Sequence, residues 1–231
     1  MTANAALTVT AIVPVRDGAR FLADALRSIV EQERPADEIL VVDDGSCDES
    51  AAIARSFPGV RCLSQPAVGA AAARNRGVAA ASGALVAFLD ADDRWTPDKL
   101  RVQIAHLAAH PAVDYVLAHQ CLHLEPGMTP PAWVRAGQLD APSVGYLPSS
   151  LVARRELFTR VGPFDTSYRV VSDVDWFARA KDAGARMAIL PQVLLHRRVH
   201  GRNLTTDIDA NQAALLRTLR ASIARQRSTK P

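Results

Sequence analysis

The 231-residue chain predicts a single α/β domain with a mostly parallel central sheet and helices on both faces. Three observations lead there. Short apolar, β-branched runs alternate with helical periodicity four times in the first half of the chain. Three of those four runs stop at proline or at carboxylates, which places marked residues where such sheets bind ligands, beyond the carboxyl ends of the strands. The length, with 48% hydrophobic and 22% charged residues, suits one buried core.

The elements follow in order. Thr8 to Val15 is a β-branched strand whose Pro14 should mark its end, and Phe21, Leu22, Leu26, Ile29 and Val30 recur at helical spacing before Pro35. Glu38 to Val42 is a second strand running into Asp43-Asp44-Gly45-Ser46, where Asp-Gly signals a turn and Ser46 or Asp48 can cap a helix through Ser56. Val60 to Leu63 is a short third strand. Ala70 to Ala81 is helix material carrying Arg74, Asn75 and Arg76, stopped by Ser82-Gly83. The fourth strand begins at Leu85 and delivers Asp90-Ala91-Asp92-Asp93. In extended backbone Asp90 and Asp92 share a face, and like charges that close call for a cation. A hard divalent ion carrying a diphosphate suits oxygen ligands of this kind.

A helix from Pro97 to about His110 precedes a strand near Tyr115 to Ala118. Leu124 to Pro148 then holds five of the fourteen prolines and little periodicity, a lid or acceptor loop spanning about 124–148. His119, Cys121 and His123 in its approach can share a strand face, but no fourth ligand stands at recognised spacing, so burial rather than metal binding is expected. Arg154 to Val161 reads as a helix and Gly162-Pro163-Phe164-Asp165 as a turn. Ser172 is placed to cap the next helix, on which Asp173 and Asp175 diverge by about 200° and cannot serve one site. Arg186 to Leu190 and Val193 to Val199 read as two closing strands.

Charge and cysteine usage exclude several classes. The pI is near 9.0, but five cations against one anion after residue 207 leave the first 207 residues at −1, so the basic character belongs to the tail. A nucleic-acid-binding protein should carry a basic stripe on its folded face. Three scattered cysteines argue for reduced thiols rather than a disulfide framework. No apolar run approaches the length of a membrane span and no signal peptide is recognisable, so a cytoplasmic protein is expected. The division expected is a catalytic domain over 1–207 and a basic amphipathic helix and tail over 208–231. Leu215, Leu219 and Ile223 form its narrow apolar stripe, suited first to docking on the body, then to a partner or an anionic membrane surface.

Ala11-Ile-Val-Pro-Val15, Val41-Val-Asp-Asp-Gly-Ser46, Ala73-Arg-Asn-Arg-Gly77, Phe88-Leu-Asp-Ala-Asp-Asp93, Gly162-Pro-Phe-Asp165, Ser172-Asp-Val-Asp175 and His200 arrive in one order. Together they resemble glycosyltransferase family 2, the inverting nucleotide-sugar transferases of GT-A fold, over residues 8 to 205. The resemblance implies a metal, Mn²⁺ or Mg²⁺, and a nucleotide-sugar donor, with a UDP-sugar favoured. Asp44 would hold the base with Pro14 and Val15 beside it, Asp43 would support it, and Arg74 would sit near the nucleotide. Asp92 and His200 would hold the metal, with His196 the weaker alternative to His200. Asp90, followed by Ala91, would bind the sugar or ribose, and Ser149 and Ser150 would face the donor sugar and acceptor. Asp173 would be the general base. Two positions depart from the pattern: Ser172 stands where Glu is usual, and Asp17 where Asn is frequent.

Two rival readings stand beside this one. A nucleotidyltransferase making a sugar nucleotide usually needs a Gly-rich, Lys/Arg-bearing loop after the first strand, which Val15 to Arg20 imitates poorly. A non-catalytic nucleotide-sugar-binding module has no need of Asp92, Asp173 and His200. The acceptor stays open among lipid, saccharide, small molecule and peptide.

Overall fold

The computed structural model describes residues 7–131, 133–135, 137–201 and 208–228. In chain order its strands are β1 (Val9–Val15), β2 (Glu38–Asp43), β3 (Val60–Ser64), β4 (Leu85–Phe88), β5 (Arg94–Trp95), β6 (Tyr115–Leu124), β7 (Ser143–Val144), β8 (Val152–Arg154) and β9 (Met187–Val199). The helices are α1 (Ala19–Val30), α2 (Ser50–Ser56), α3 (Ala70–Ala80), α4 (Lys99–Ala109), α5 (Glu156–Val161), α6 (Ser172–Asp182) and α7 (Ile208–Ser228). The sheet runs β3-β2-β1-β4-β8-β6-β9-β5, with β7 on the side of β6.

The first four strands pair in parallel as expected. The other half is mixed. β8 runs antiparallel to both β4 and β6, β6 and β9 are parallel, and β5 closes antiparallel on β9. β8 occupies three residues, the last of which the sequence assigns to the following helix; that helix begins at Glu156 instead. The two closing strands expected after Arg186 are one. Ala118 pairs with Leu190 and His119 with Val193, so Pro191 and Gln192 are bulged out and the strand continues.

Alternation along the strands makes two cores. Val9, Ala11 and Val13 of β1, with Leu85 and Ala87 of β4, face Leu22, Leu26 and Ile29 of α1 and Leu100 and Leu107 of α4. Ile12, Val86 and Phe88 face the opposite layer, where Leu157 and Phe158 of α5 and Trp176 of α6 close around Phe164. Pro14 is tolerated in a central strand because of where its missing N–H would point. Ile12 accepts from Leu89 N on the β4 side, so Pro14, two residues on, faces the same side beyond the last β4 pairing; β1 itself runs one residue further, to Val15.

α3 crosses β1 closely at Gly77, where an added Cβ would lie 2.4 Å from Ile12 Cγ2, a fully buried and branched side chain. Helix propensity favours Gly77→Ala by ~1 kcal/mol. Overpacking opposes it, at roughly 1–3 kcal/mol or more. The variant is therefore expected to unfold at lower urea than the wild type, measured by circular dichroism; a higher midpoint would contradict the close crossing.

Candidate functional site

The candidate residues lie beyond the carboxyl ends of β1, β2 and β4, and two loops are stitched together as the floor of the candidate site. Asp17 sits in left-handed backbone at φ 50, a conformation that Asn and Asp tolerate best among residues with a side chain. Its carboxylate accepts from Cys47 N at 2.7 Å, and its own N–H donates to Ser46 Oγ. Gly18 N donates to Ser50 Oγ and Ala19 N to Asp48. Asp48 also accepts from Ser50 N at 2.9 Å, so it satisfies the first turn of α2, although Glu49 occupies the cap position. A side chain at Gly18 would strike Val15 and touch Ala91, so this floor also carries the start of the acidic turn.

Asp44 is 3% exposed and anchors a third loop: its carboxylate accepts from Gln65 Nε2 at 2.7 Å, Val68 N at 2.9 Å and Gly69 N at 2.8 Å. Asp43, also buried, accepts from Ser46 N at 3.1 Å. Pro14 and Val15 are buried beside them.

The acidic centre forms around a buried cation. Arg74 of α3 donates to Asp90 at 2.6 Å, and Asp173 and Asp92 are near enough to join Asp90 in pushing its pKa up against the effect of burial. Its Nε is buried without a hydrogen-bond partner among the described residues. Across the turn, Asp92 Oδ2 meets His200 Nε2 at 2.9 Å, and the His200 ring lies 4.9 Å from that of Phe21. Asp90, Asp92 and Asp173 thus gather around the Arg74 guanidinium. Two converging groups, a carboxylate and an imidazole, fit Mn²⁺ or Mg²⁺ when a diphosphate supplies further oxygens. No cluster of three His, Cys, Asp or Glu able to hold a metal exists among the described residues.

Asp93 does not cap α4, whose cap position is held by Asp98. Asp93 is 3% exposed, and its Oδ1 accepts from Arg198 N at 3.0 Å, tying the acidic turn to β9. Burial, then Asp92 and Asp90, push its pKa well above the carboxylate range. Arg198 adds a bond from Nε to Asp92 O at 3.1 Å, an ion pair with Glu125, and a guanidinium 4.6 Å from the Phe21 ring.

Asp173 stands in the first turn of α6, half-buried, with its pKa raised by burial and drawn back by Arg74. The residue before the helix is Val171 at φ 55, a conformation costly for a β-branched side chain. Val171, not Ser172, occupies the cap position, and no side chain caps it. Asp175 turns away, as the helical angle requires. It pairs with Arg179 at 2.7 Å, and Arg179 holds the carbonyls of Val161 and Pro163. The same turn is clasped by Asn75, which exchanges two 2.8 Å bonds with the backbone of Phe164. Asn75, Arg179 and Arg198 are supporting residues that sequence reasoning missed; Asn75 and Phe164 both lie in recognised motifs, but nothing in the sequence joins positions so far apart.

Ser149 and Ser150, expected to face the donor, are both 0% exposed. Ser149 Oγ accepts from Asp90 N at 3.0 Å, and its carbonyl takes the Trp95 indole N–H at 3.0 Å. The Ser150 hydroxyl is bound to the Gly145 and Leu147 carbonyls. The Ser149 side chain supports the acidic turn, and that of Ser150 fixes the 145–147 segment. His196 bonds to His123 at 2.7 Å, and His123 pairs with Asp140 at 2.8 Å, so His200 alone of the two candidates meets Asp92. Cys121 is buried with its Sγ 3.8 Å from the Asp140 carbonyl, and the three cysteines are free. Between the end of β6 at Leu124 and a 3-10 turn over Pro148–Ser150, regular structure among the described residues is limited to β7 and an isolated bridge from Leu122 to Leu139.

Residues 10–125, half of the chain, match the model of the family "Glycosyl transferase family 2". The chain belongs to glycosyl transferase family 2. It is 35% identical over 206 residues to a pre-mycofactocin glycosyltransferase of Mycobacterium tuberculosis, covering 81% of this chain and 42% of the relative. It is 30% identical over 203 residues to the succinoglycan biosynthesis protein ExoO of Rhizobium meliloti, covering 79% and 58%. The chain spans less than two thirds of the length of these relatives. Among solved structures, S. aureus TarS 1–349 in complex with UDP-GlcNAc superposes with a TM-score of 0.75 at 19% identity, over 95% of this chain and 66% of that one. The mannosyltransferase PcManGT from Pyrobaculum calidifontis, in complex with GDP-Man and Mn²⁺, gives 0.72 at 24% identity, over 94% and 64%. The fold of this family 2 chain is therefore GT-A. Among its described residues no helix is long and apolar enough to cross a membrane.

Proposed function

We propose that this chain transfers a sugar, with inversion, from a nucleoside-diphosphate sugar to an acceptor nucleophile, with a divalent metal and with a UDP-sugar as the favoured donor. One observation carries the reading: at the acidic turn Asp90 pairs with Arg74, which Asp173 and Asp92 also approach, and Asp92 converges with His200. Asp90 and Asp173 are suited to the sugar and acceptor, and Asp92 with His200 to the charged diphosphate. Neighbouring structures that hold UDP-GlcNAc and GDP-Man with Mn²⁺ support a nucleotide-sugar donor for the same fold.

In this reading Asp92 and His200 hold Mn²⁺ or Mg²⁺, which when bound offsets charge growing on the departing diphosphate. Asp173 accepts the acceptor's proton as its oxygen attacks the anomeric carbon. Arg74 keeps Asp90 oriented and limits the mutual repulsion of the three acids. Asp44 and Asp43 hold the base end together with Pro14 and Val15, and because Asp44 fixes the 65–69 loop, base recognition extends to that loop. A single displacement inverts the anomeric centre.

Product analysis tests the reading. Incubation with UDP-sugars and GDP-mannose in Mn²⁺ is expected to release nucleoside diphosphate, slowly to water and faster with acceptor. Release of pyrophosphate from a nucleoside triphosphate and a sugar phosphate would instead identify a nucleotidyltransferase.

A further inference from the structure

α7 packs against the body with its polar side. Arg217 donates to Ser167 Oγ at 2.8 Å and lies 4.2 Å over the Tyr168 ring. The buried Thr218 meets the Tyr168 hydroxyl at 3.3 Å, while Ser222, Arg225 and Gln226 converge on Asp182 at 3.1, 2.8 and 3.0 Å. These contacts reverse the orientation expected of the apolar stripe. Leu215, Leu216, Leu219 and Ile223 point outward, at 39%, 55%, 58% and 49% exposure.

At 3.6 residues per turn, Leu216, Leu219 and Ile223 lie within about 60° of one another, and Arg220 and Arg227 border them within about 40° of Leu216. Both arginines are exposed. α7 carries one acid, Asp209 in its first turn, and none from 210 to 228. An apolar row edged by cations and free of acids has the chemistry of an interfacial helix lying on an anionic bilayer. A second copy of the chain would bring the same cations to the contact.

We propose that α7 seats this protein on an anionic lipid surface through Leu216, Leu219 and Ile223, with Arg220 and Arg227 meeting the headgroups. The helix runs alongside α6, from Ser167 just before it to Asp182 at its end, so the helix that carries Asp173 would lie next to the surface.

Vesicle flotation of the full chain tests this, using phosphatidylcholine alone and phosphatidylcholine mixed with phosphatidylglycerol. The wild type is expected to float with the mixed vesicles only, and less as salt rises. Leu216→Gln/Leu219→Gln/Ile223→Gln should abolish flotation, and Arg220→Gln/Arg227→Gln should weaken it about 30-fold. Circular dichroism melts check that both variants fold; the arginine variant and the salt titration stand even if the apolar one does not. Absence of wild-type flotation, equal flotation on both vesicles, or full binding by the arginine variant would overturn the proposal. So would a light-scattering dimer that the apolar variant dissolves, which would assign the face to a second copy.

Discussion

Asp173→Asn is expected to lower sugar transfer by about 10²–10⁴-fold while leaving donor affinity almost unchanged, as loss of a general base requires. The asparagine keeps the shape of the side chain and can still meet Arg74, but it cannot take a proton. The geometry behind the expectation is specific. Val171 holds left-handed backbone to launch α6, and the first turn then sets Asp173 beside Arg74 and Asp90 while Asp175 is committed to Arg179. Burial, partly countered by Arg74, raises the Asp173 pKa above its ordinary 3.8, so the acid limb of the pH–rate profile should lie above that value and disappear in the variant. The stability effect has the opposite sign to the activity effect. Between the unfolded and the raised folded pKa the native state binds more protons, so its stability falls as pH rises through that window. At neutral pH the variant is therefore expected to melt slightly higher than the wild type. A variant that transfers sugar at the wild-type rate would remove Asp173 from the reaction.

Asp92→Ala acts on the donor instead. Loss of outer-shell partners of metal ligands typically costs about 10–100-fold in metal affinity, so removing a direct ligand should weaken Mn²⁺-dependent donor binding by at least about 100-fold. Calorimetric titration of the variant should give the same weak affinity with and without Mn²⁺. Equal, undiminished donor affinity in both proteins under both conditions would contradict a metal role for Asp92. His200, 2.9 Å from Asp92 and packed on Phe21, should follow it in direction.

Where the sequence was explicit, one local pattern carried the information. Strands β1 to β4 are apolar runs with abrupt polar ends, and alternation in extended backbone pairs Asp90 with Asp92, whereas Arg74, Asp173 and His200 become legible as site residues only through the resemblance to the family. β8 escaped because three residues show no period, and its placement between β4 and β6 is decided by partners distant in the chain. β9 was divided at Pro191, where a bulge absorbs the residue that a regular strand could not hold. Asp93 could not be assigned from its neighbours because its partner is the amide of Arg198. Buried Ser149 and Ser150 look like any polar loop until their hydrogen bonds are seen. Periodicity located the apolar stripe of α7 but not its direction, since ion pairs to Asp165 and Asp182 and the stacking on Tyr168 turned the polar side inward.

The central claim is that Arg74, Asp90 and Asp173 together with Asp92 and His200 form one metal-assisted nucleotide-sugar site. Isothermal titration of the full chain with UDP-sugars and GDP-mannose, with and without Mn²⁺, tests it most directly. Saturable one-site binding of at least one sugar nucleotide, strengthened by Mn²⁺ and lost in Asp92→Ala, is the expected result. Failure of every sugar nucleotide to bind in the presence of Mn²⁺ would contradict it.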